Sequence, residues 1–308
     1  MDNYEHTPLT AMAVCAIILD YFGADKTIAC LTSLLDQGID FVFVVDNSGN
    51  QQAAAKLQEA MEEFTSVKRP FGIHLLVNPT NMGFGAGMNM ALKWLEDNQP
   101  YQYYLLINND AQASPGMLPE LLRHMKQNSR LAICAPVIDT GKQILKGFWY
   151  QRFSGLMFLH PTIGSFSYLS GCCLLIDHRI INNGLFDEDF FMYGEDVELS
   201  WRMQRSDWHI ACIHQAVVRH LGVGSSHQGE FFYEYHVVRG HMLLAKKLAQ
   251  RAWHIPFFYL GRLIAISTRL VLRSFRFRSF VPIKASLSAI YDARKVKDQS
   301  WHTNQQQS

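Results

Sequence analysis

Long unbroken apolar runs are missing from this chain. No segment reaches about 18 consecutive apolar residues, so a membrane-spanning helix is not expected. Surplus charge is missing too. Lys and Arg number 28 against 27 Asp and Glu in 308 residues, a formal net charge of +1. That balance excludes electrostatic binding of nucleic acid by the protein as a whole. Six cysteines (Cys15, Cys30, Cys134, Cys172, Cys173 and Cys212) lack metal-ligand spacing and lie mostly in apolar stretches. Reduced thiols in the core of a cytosolic protein are the expectation. The first ten residues are polar, with Asp2 and Glu5, and do not read as a secretory leader. The phosphate-loop pattern Gly-x-x-x-x-Gly-Lys followed by Ser or Thr is absent as well, which removes that class of nucleotide site.

What is present begins with periodicity. With 48% hydrophobic residues, the chain can bury a full core. Short runs rich in Val, Ile and Leu at 13–19, 41–45, 73–77 and 103–107 read as buried strands. Between them, residues 26–35, 53–64 and 86–98 have helical spacing. A further helix is expected from Pro115 to Asn128, with Ser114 as its N-cap and Pro115 in the first position. Strands alternating with helices indicate βα units and a mainly parallel sheet. Ligands in such sheets sit beyond the carboxyl ends of the strands. Three of those ends carry polar groups: Asp20-Tyr21, Asp46-Asn47 and Asn108-Asn109-Asp110. They should share one crevice. Further on, a strand-like run at 168–177, a helix at 197–206 and a strand at 208–213 are expected, with helices after Glu230.

Several clusters could carry chemistry. Asp110 ends a strand with two amides before it, an arrangement that suits oxygen-seeking Mg²⁺ or Mn²⁺. The same residues would also make an Asx turn. Residues 81–89, Asn-Met-Gly-Phe-Gly-Ala-Gly-Met-Asn, form a loop running into a helix. Its glycines allow close backbone approach to a nucleotide, and the helix start offers amides to an anion. His220 follows a strand and precedes a glycine-rich turn, where an imidazole serves either structure or metal. Between Asp187 and Glu198 there are six carboxylates, interleaved with Phe190, Phe191 and Tyr193. Acids held against apolar walls have shifted pKa values and act as bases or cation ligands.

Charge is uneven along the chain. From Arg239 to Lys297 there are thirteen Lys and Arg and one acid, Asp292. With Trp253, Phe257, Phe258 and Phe275 in the same stretch, this reads as a helical appendage whose basic edges meet an anionic membrane surface. A helical subdomain packed on the core is the alternative. The Gln-rich tail, 298–308, is expected to be disordered.

Taken in order, these pieces resemble the family 2 glycosyltransferases with a GT-A fold, especially their bacterial rhamnosyltransferase-like branch. The likeness runs over about residues 12 to 245, through Ile18–Phe22, Val44–Gly49, Asn78–Asn89, Leu106–Asp110, Ser170-Gly171, Gly194-Glu195-Asp196 and the His220 loop. It implies an α/β nucleotide-diphospho-sugar transferase fold, with a Rossmann-like, mainly parallel sheet over 1–232, a helical basic appendage over 233–297 and the tail beyond. It further implies that Tyr21 and Asp46 hold the base and ribose of a nucleotide-sugar. Asn81, Gly83, Asn89, Asn108, Asn109 and Gly171 would line that pocket. Asp110 and His220 would contact Mg²⁺ or Mn²⁺ or the diphosphate, although two amides stand where the family often has acids. Asp196 would be the general base, with Glu195 beside it. The implied partners are a deoxythymidine- or uridine-diphosphate sugar and a saccharide or lipid-linked saccharide acceptor, at the cytoplasmic face of a membrane, with no nucleic acid. Two other readings stand beside it. A sugar nucleotidyltransferase would normally carry a basic Gly-rich loop after the first strand, where residues 20–25 have none. A non-catalytic saccharide-binding protein retaining the fold is the other.

Overall fold

The computed structural model describes residues 13–68, 71–181, 184–220 and 230–296. The polar N-terminal residues, the glycine-rich turn after His220 and the 298–308 tail lie outside the described residues. The described residues fall into two compact units.

The first unit comprises described residues of 13–146, 169–185 and 206–220. Its chain opens as β1 (Val14–Asp20), α1 (Ala24–Ser33), β2 (Phe41–Asp46), α2 (Gln51–Val67), β3 (Gly72–Val77), α3 (Phe84–Asn98) and β4 (Tyr103–Asn108). The expected alternation is therefore observed, with boundaries within about three residues. β1, β2 and β4 are almost wholly buried because helices cover both faces of a parallel sheet. Next come β5 (Ala111–Ala113), α4 (Met117–Gln127), β6 (Leu131–Asp139) and β7 (Ile144–Leu145). The three-stranded layer of the second unit contributes β8 (Phe148–Gln151), β9 (Met157–Phe158) and β10 (Ser165–Tyr168). The first unit then resumes with β11 (Cys173–Asp177) and β12 (His209–His220).

The main sheet has the order β3-β2-β1-β4-β11-β6-β12-β5, with β7 beside β6. Its β3-β2-β1-β4 half is entirely parallel. The other half is mixed, because β11 runs antiparallel to both of its neighbours. All six cysteines are free thiols, five of them buried and Cys212 half-buried.

Three local expectations are corrected. α4 begins at Met117, after Gly116 in a left-handed conformation, and Ser114 makes no side-chain cap. Its carbonyl instead accepts from the Met117 N–H at 3.1 Å, so Ser114-Pro115 form a turn ahead of the helix. The run 168–177 is two strands rather than one, broken by the Ser170-Gly171 turn. The last strand of the sheet extends to His220.

The second unit comprises described residues of 147–168, 186–205 and 230–296. It contains β8, β9 and β10 paired in the order β10-β8-β9, α5 (Glu195–Met203), α6 (Phe231–Lys247), α7 (His254–Phe277) and α8 (Val281–Lys295). Tyr150, Phe166, Phe190, Val238, Leu243 and Phe258 lie in its core. α7 carries three of its four arginines inward. Arg262 is fully buried and donates through Nη1 to the carbonyls of Arg152 (2.6 Å), Phe153 and Phe258. Arg269 and Arg273 pair with the fully buried Glu234 on α6. α7 is long and apolar enough to cross a membrane by length and composition, the single such helix among the described residues. A search for unbroken apolar runs does not register it.

α7 comes so close to the turn after β8 that a Cβ at Gly261 would overlap the carbonyl oxygen of Phe153. Gly261→Ala should therefore lower unfolding stability by about 1–3 kcal/mol, measurable by urea denaturation. The exposed Leu260→Ala change, whose side chain is mostly in solvent, should cost much less.

Candidate functional site

In the first unit the chain steps outward from β1 to β2 to β3, then returns to place β4 on the other side of β1. The loops after β1 and β4 therefore diverge at a switch point, where α/β sheets open a ligand crevice. Register sets Asp20 beside Asp46 and Leu19 beside Asn108, so the expected strand ends do share one edge. Tyr21, 36% exposed, stands at the first of these loops and meets the Phe22 ring edge-on at 4.9 Å. Phe22 has a left-handed φ of 52°, a conformation that non-glycine residues adopt at local cost.

Sequence reasoning placed the residue behind Tyr21 at this edge but gave it no role. Asp20 is 2% exposed. Its Oδ1 accepts from Thr27 Oγ1 (2.6 Å) and Asn109 Nδ2 (3.0 Å), and its Oδ2 from the Gly23 N–H (3.2 Å). Three donors satisfy a carboxylate that burial would otherwise penalise. Asn109 Nδ2 also reaches Thr27 Oγ1 at 3.3 Å. Its amide is thus spent on tying the loop after β4 to the loop after β1. A Cβ at Gly23 would lie 2.5 Å from Asn109 Nδ2, so only glycine fits there without displacing the amide.

A second network holds the glycine loop. Asn47 Nδ2 donates to Asn81 Oδ1 and to the Gly83 carbonyl, each at 3.0 Å. Its Oδ1 accepts from Asn78 Nδ2 (3.0 Å) and the Met82 N–H (3.1 Å). Asn81 Oδ1 accepts in addition from the Gly83 N–H at 2.9 Å. Gly83 has φ 82° at the start of α3, where glycine is the natural occupant. Asp46 is fully buried and accepts from the Ser48 N–H (3.0 Å) and hydroxyl (3.1 Å). Asn89, on α3, is buried and accepts from the Leu185 N–H at 2.9 Å. Of the expected nucleotide-sugar residues, then, Asp46, Asn81 and Asn89 make bonds within the protein that shape the edge. Asn47 is the hub, a residue that sequence reading placed at a strand end without a role of its own, since one more polar residue after a strand looks like an ordinary turn.

Asp110 and His220 are brought together. β12 ends at His220 opposite Ala111 of β5, and His220 Nε2 lies 3.1 Å from Asp110 Oδ1. Burial works to raise the Asp110 pKa, but the hydrogen bond and charge of His220 hold it below the ordinary value. His220 is pushed up to about 10, first by the bond to Asp110 and then by one to Cys172. Half-buried Asn108 donates its N–H to the Cys172 carbonyl at 2.9 Å, which sets the Gly171 turn at the same strand end. No group of three or more His, Cys, Asp or Glu suited to a metal occurs among the described residues. A carboxylate oxygen and an imidazole nitrogen within one hydrogen-bond length still match a divalent ion that fills its remaining positions with water and substrate phosphate. The donor set fits such an ion.

Glu195 and Asp196 belong to the second unit, in the first turn of α5. Tyr193 (φ 66°) and Gly194 (φ 109°) turn the chain sharply into that helix. Asp196 Oδ1 accepts from the Val197 N–H at 2.8 Å. Glu195 is 7% exposed, and its Oε2 is buried without a hydrogen-bond partner. Burial, then the adjacent Asp196 charge, push its carboxyl well above the usual range. The acids ahead of them have a different task. Lys247 of α6 pairs with Asp187 (2.7 Å) and Asp189 (2.5 Å), and Arg239 donates to the Asp189 carbonyl at 2.6 Å. Gly240 lets α6 pass against the Tyr193 carbonyl, where a Cβ would collide. The loop carrying the Glu195-Asp196 pair is therefore anchored to α6. Lys247 was invisible in sequence because its partners lie about sixty residues away.

Known proteins are similar to this chain in sequence and in fold. The chain is 26% identical over 186 residues to N-acetylglucosaminyl-diphospho-decaprenol L-rhamnosyltransferase of Mycobacterium tuberculosis, an alignment covering 50% of this chain and 61% of that protein. The chain thus matches less than two thirds of that relative's length. It is 24% identical over 245 residues to a low-salt glycan biosynthesis hexosyltransferase of Haloferax volcanii, covering 74% of this chain and 75% of the other. Among solved structures, the mannosyltransferase PcManGT of Pyrobaculum calidifontis, in complex with GDP-Man and Mn²⁺, superimposes with a TM-score of 0.59 at 12% identity, over 94% of this chain and 91% of that one. Residues 1–349 of S. aureus TarS give a TM-score of 0.51 at 14% identity, over 86% and 72% of the two chains. These likenesses establish the GT-A fold. Residues 15–192 match the sequence profile of glycosyl transferase family 2, more than half of the chain, and the protein belongs to that family of nucleotide-sugar transferases.

Proposed function

We propose that this glycosyltransferase moves a sugar, with inversion, from a nucleoside-diphosphate sugar to a hydroxyl of a saccharide or lipid-linked saccharide in surface polysaccharide synthesis. Rhamnose on deoxythymidine diphosphate is the favoured donor, since the mycobacterial relative is named as a rhamnosyltransferase. Uridine diphosphate hexoses are the second choice. The observation that carries the reading is the Asp110–His220 pair, held 3.1 Å apart at the carboxyl edge of the sheet.

Asp110 and His220 would hold Mg²⁺ or Mn²⁺, a choice supported by the Mn²⁺ named with the similarly folded mannosyltransferase. When bound, such an ion neutralises charge developing on a leaving diphosphate. Tyr21 offers its ring to the base. Asp46, Asn81, Gly83, Asn89, Asn108, Asn109 and Gly171 form the donor edge, several of them through the bonds they make within the chain. Asp196 takes the proton of the acceptor hydroxyl as that oxygen bonds to the anomeric carbon. The bond from that carbon to the phosphate oxygen breaks, and its electron pair leaves with the diphosphate. One displacement inverts the centre. Glu195 supports this reading: burial and the neighbouring Asp196 charge raise its pKa, which favours its protonated form beside Asp196. A lipid-linked acceptor would bring residues 233–297 against an anionic membrane surface at its cytoplasmic face.

Asp196→Asn should reduce sugar transfer by about 100-fold or more while donor-induced thermal stabilisation persists. Undiminished transfer would overturn the base assignment. To hold Mn²⁺, His220 would have to give up its proton. Below the His220 pKa of about 10, Mn²⁺ affinity should therefore rise about tenfold per pH unit. Calorimetry in buffers of different ionisation enthalpy should show proton release that His220→Gln abolishes. The Glu195 pKa is raised on folding, so its contribution to stability is present below the ordinary value of 4.5 and lost as pH climbs toward 8. The melting temperature of Glu195→Gln should accordingly gain on the parent's across that interval.

A further inference from the structure

We propose that α7 lies in the plane of an anionic membrane, with one apolar face in the acyl layer and Arg262, Arg269 and Arg273 turned into the protein. This rests on the membrane-surface part of the reading above and changes its form, since sequence alone suggested basic edges along the helix at headgroup level. The outward face of α7 follows helical spacing through Phe257, Leu260, Ile264, Val271 and Phe275, each 49–81% exposed, with the exposed hydroxyls of Ser267 and Thr268 between its two halves. The opposite face carries Arg262, Ile266, Arg269 and Arg273 at the same spacing, and there Arg262 is spent on backbone carbonyls while Arg269 and Arg273 are spent on Glu234. A helix of 24 residues thus presents a long apolar stripe with no charged side chain in it.

The exposed cations stand at its far end. Arg276 and Arg278 close α7, and Lys284, Arg294 and Lys295 follow on α8, all exposed. Phe280, 76% exposed, sits among them in the turn between the two helices. Of the acids in this stretch only Asp292 occurs, and it is engaged by Tyr235 and Lys295. Apolar stripe, terminal aromatic and cationic end match a bilayer surface of negative charge, with the stripe among acyl chains and the cations among phosphates. A second copy of the chain would match the stripe but would repel the cationic end.

Flotation of the full chain with vesicles tests this. Binding to phosphatidylcholine vesicles containing phosphatidylglycerol should exceed binding to phosphatidylcholine alone by at least about tenfold. The difference should shrink in high salt. Leu260→Glu with Ile264→Glu should weaken binding to both vesicles by about tenfold or more, whereas Arg276→Glu with Arg278→Glu should weaken only binding to the anionic vesicle. Circular dichroism and transfer to a water-soluble acceptor should be unchanged in both variants, which separates failure of the membrane contact from failure of the enzymatic reading. Equal binding of the Leu260/Ile264 variant, or a parent chain that stays in solution as a dimer which that variant dissociates, would overturn the proposal.

Discussion

The burial of one carboxylate at the end of β1 governs the donor edge. Asp20 is withdrawn from water, so it must be met by donors, and those donors come from three places: Thr27 in α1, the backbone of Gly23 and the amide of Asn109. An unmatched buried carboxylate is costly enough to make these bonds obligatory. Satisfying it fixes the turn into α1, presents Tyr21 to solvent and locks the loop after β4 one residue before Asp110. The metal-ligating chemistry proposed for Asp110 therefore depends on a neighbour that touches neither substrate nor ion.

Order in the second unit rests on comparable pairings. Glu234 is enclosed by α6 and α7 with Arg269 and Arg273, and Lys247 fastens the acidic loop through Asp187 and Asp189. Isolated, any of these ions would be destabilising in a low-dielectric interior. Paired, they fix register: α7 against α6, and the loop before α5 against α6. The acidic–aromatic segment so divides by function. Asp187 and Asp189 serve as anchors, while Glu195 is left with a buried oxygen lacking a partner next to the Asp196 carboxylate.

Much of this could be read in the sequence. Period-two and period-3.6 patterns located the βα units, and polar residues at strand ends located the edge, because both follow from local geometry. Partnerships were not legible. Whether Asn81 faces a ligand or Asn47 depends on side chains that meet only in the folded chain, and so does the choice of Asn109 for Asp20. The start of α4 was misjudged because Ser-Pro is a common helix opening, while the Gly116 backbone had the stronger preference. The single run at 168–177 concealed a turn because Leu169, Cys172 and Cys173 are apolar on both sides of it. For α7, a count of unbroken apolar residues cannot show what separating its two faces shows, that exposed apolar residues lie on one and Arg262, Arg269 and Arg273 on the other.

Gly23 has a consequence outside its own turn. With hydrogen as its side chain, it lets Asn109 rest where a methyl group would otherwise stand, 2.5 Å from the amide nitrogen. The loops after β1 and β4 are thereby in contact through space that a single carbon would fill, and they behave as one mechanical part. A donor held at Tyr21 and a cation held at Asp110, as proposed, would act on that same part. Any free energy with which one assisted the other would then be reciprocal: the donor would tighten the cation by the same factor with which the cation would tighten the donor.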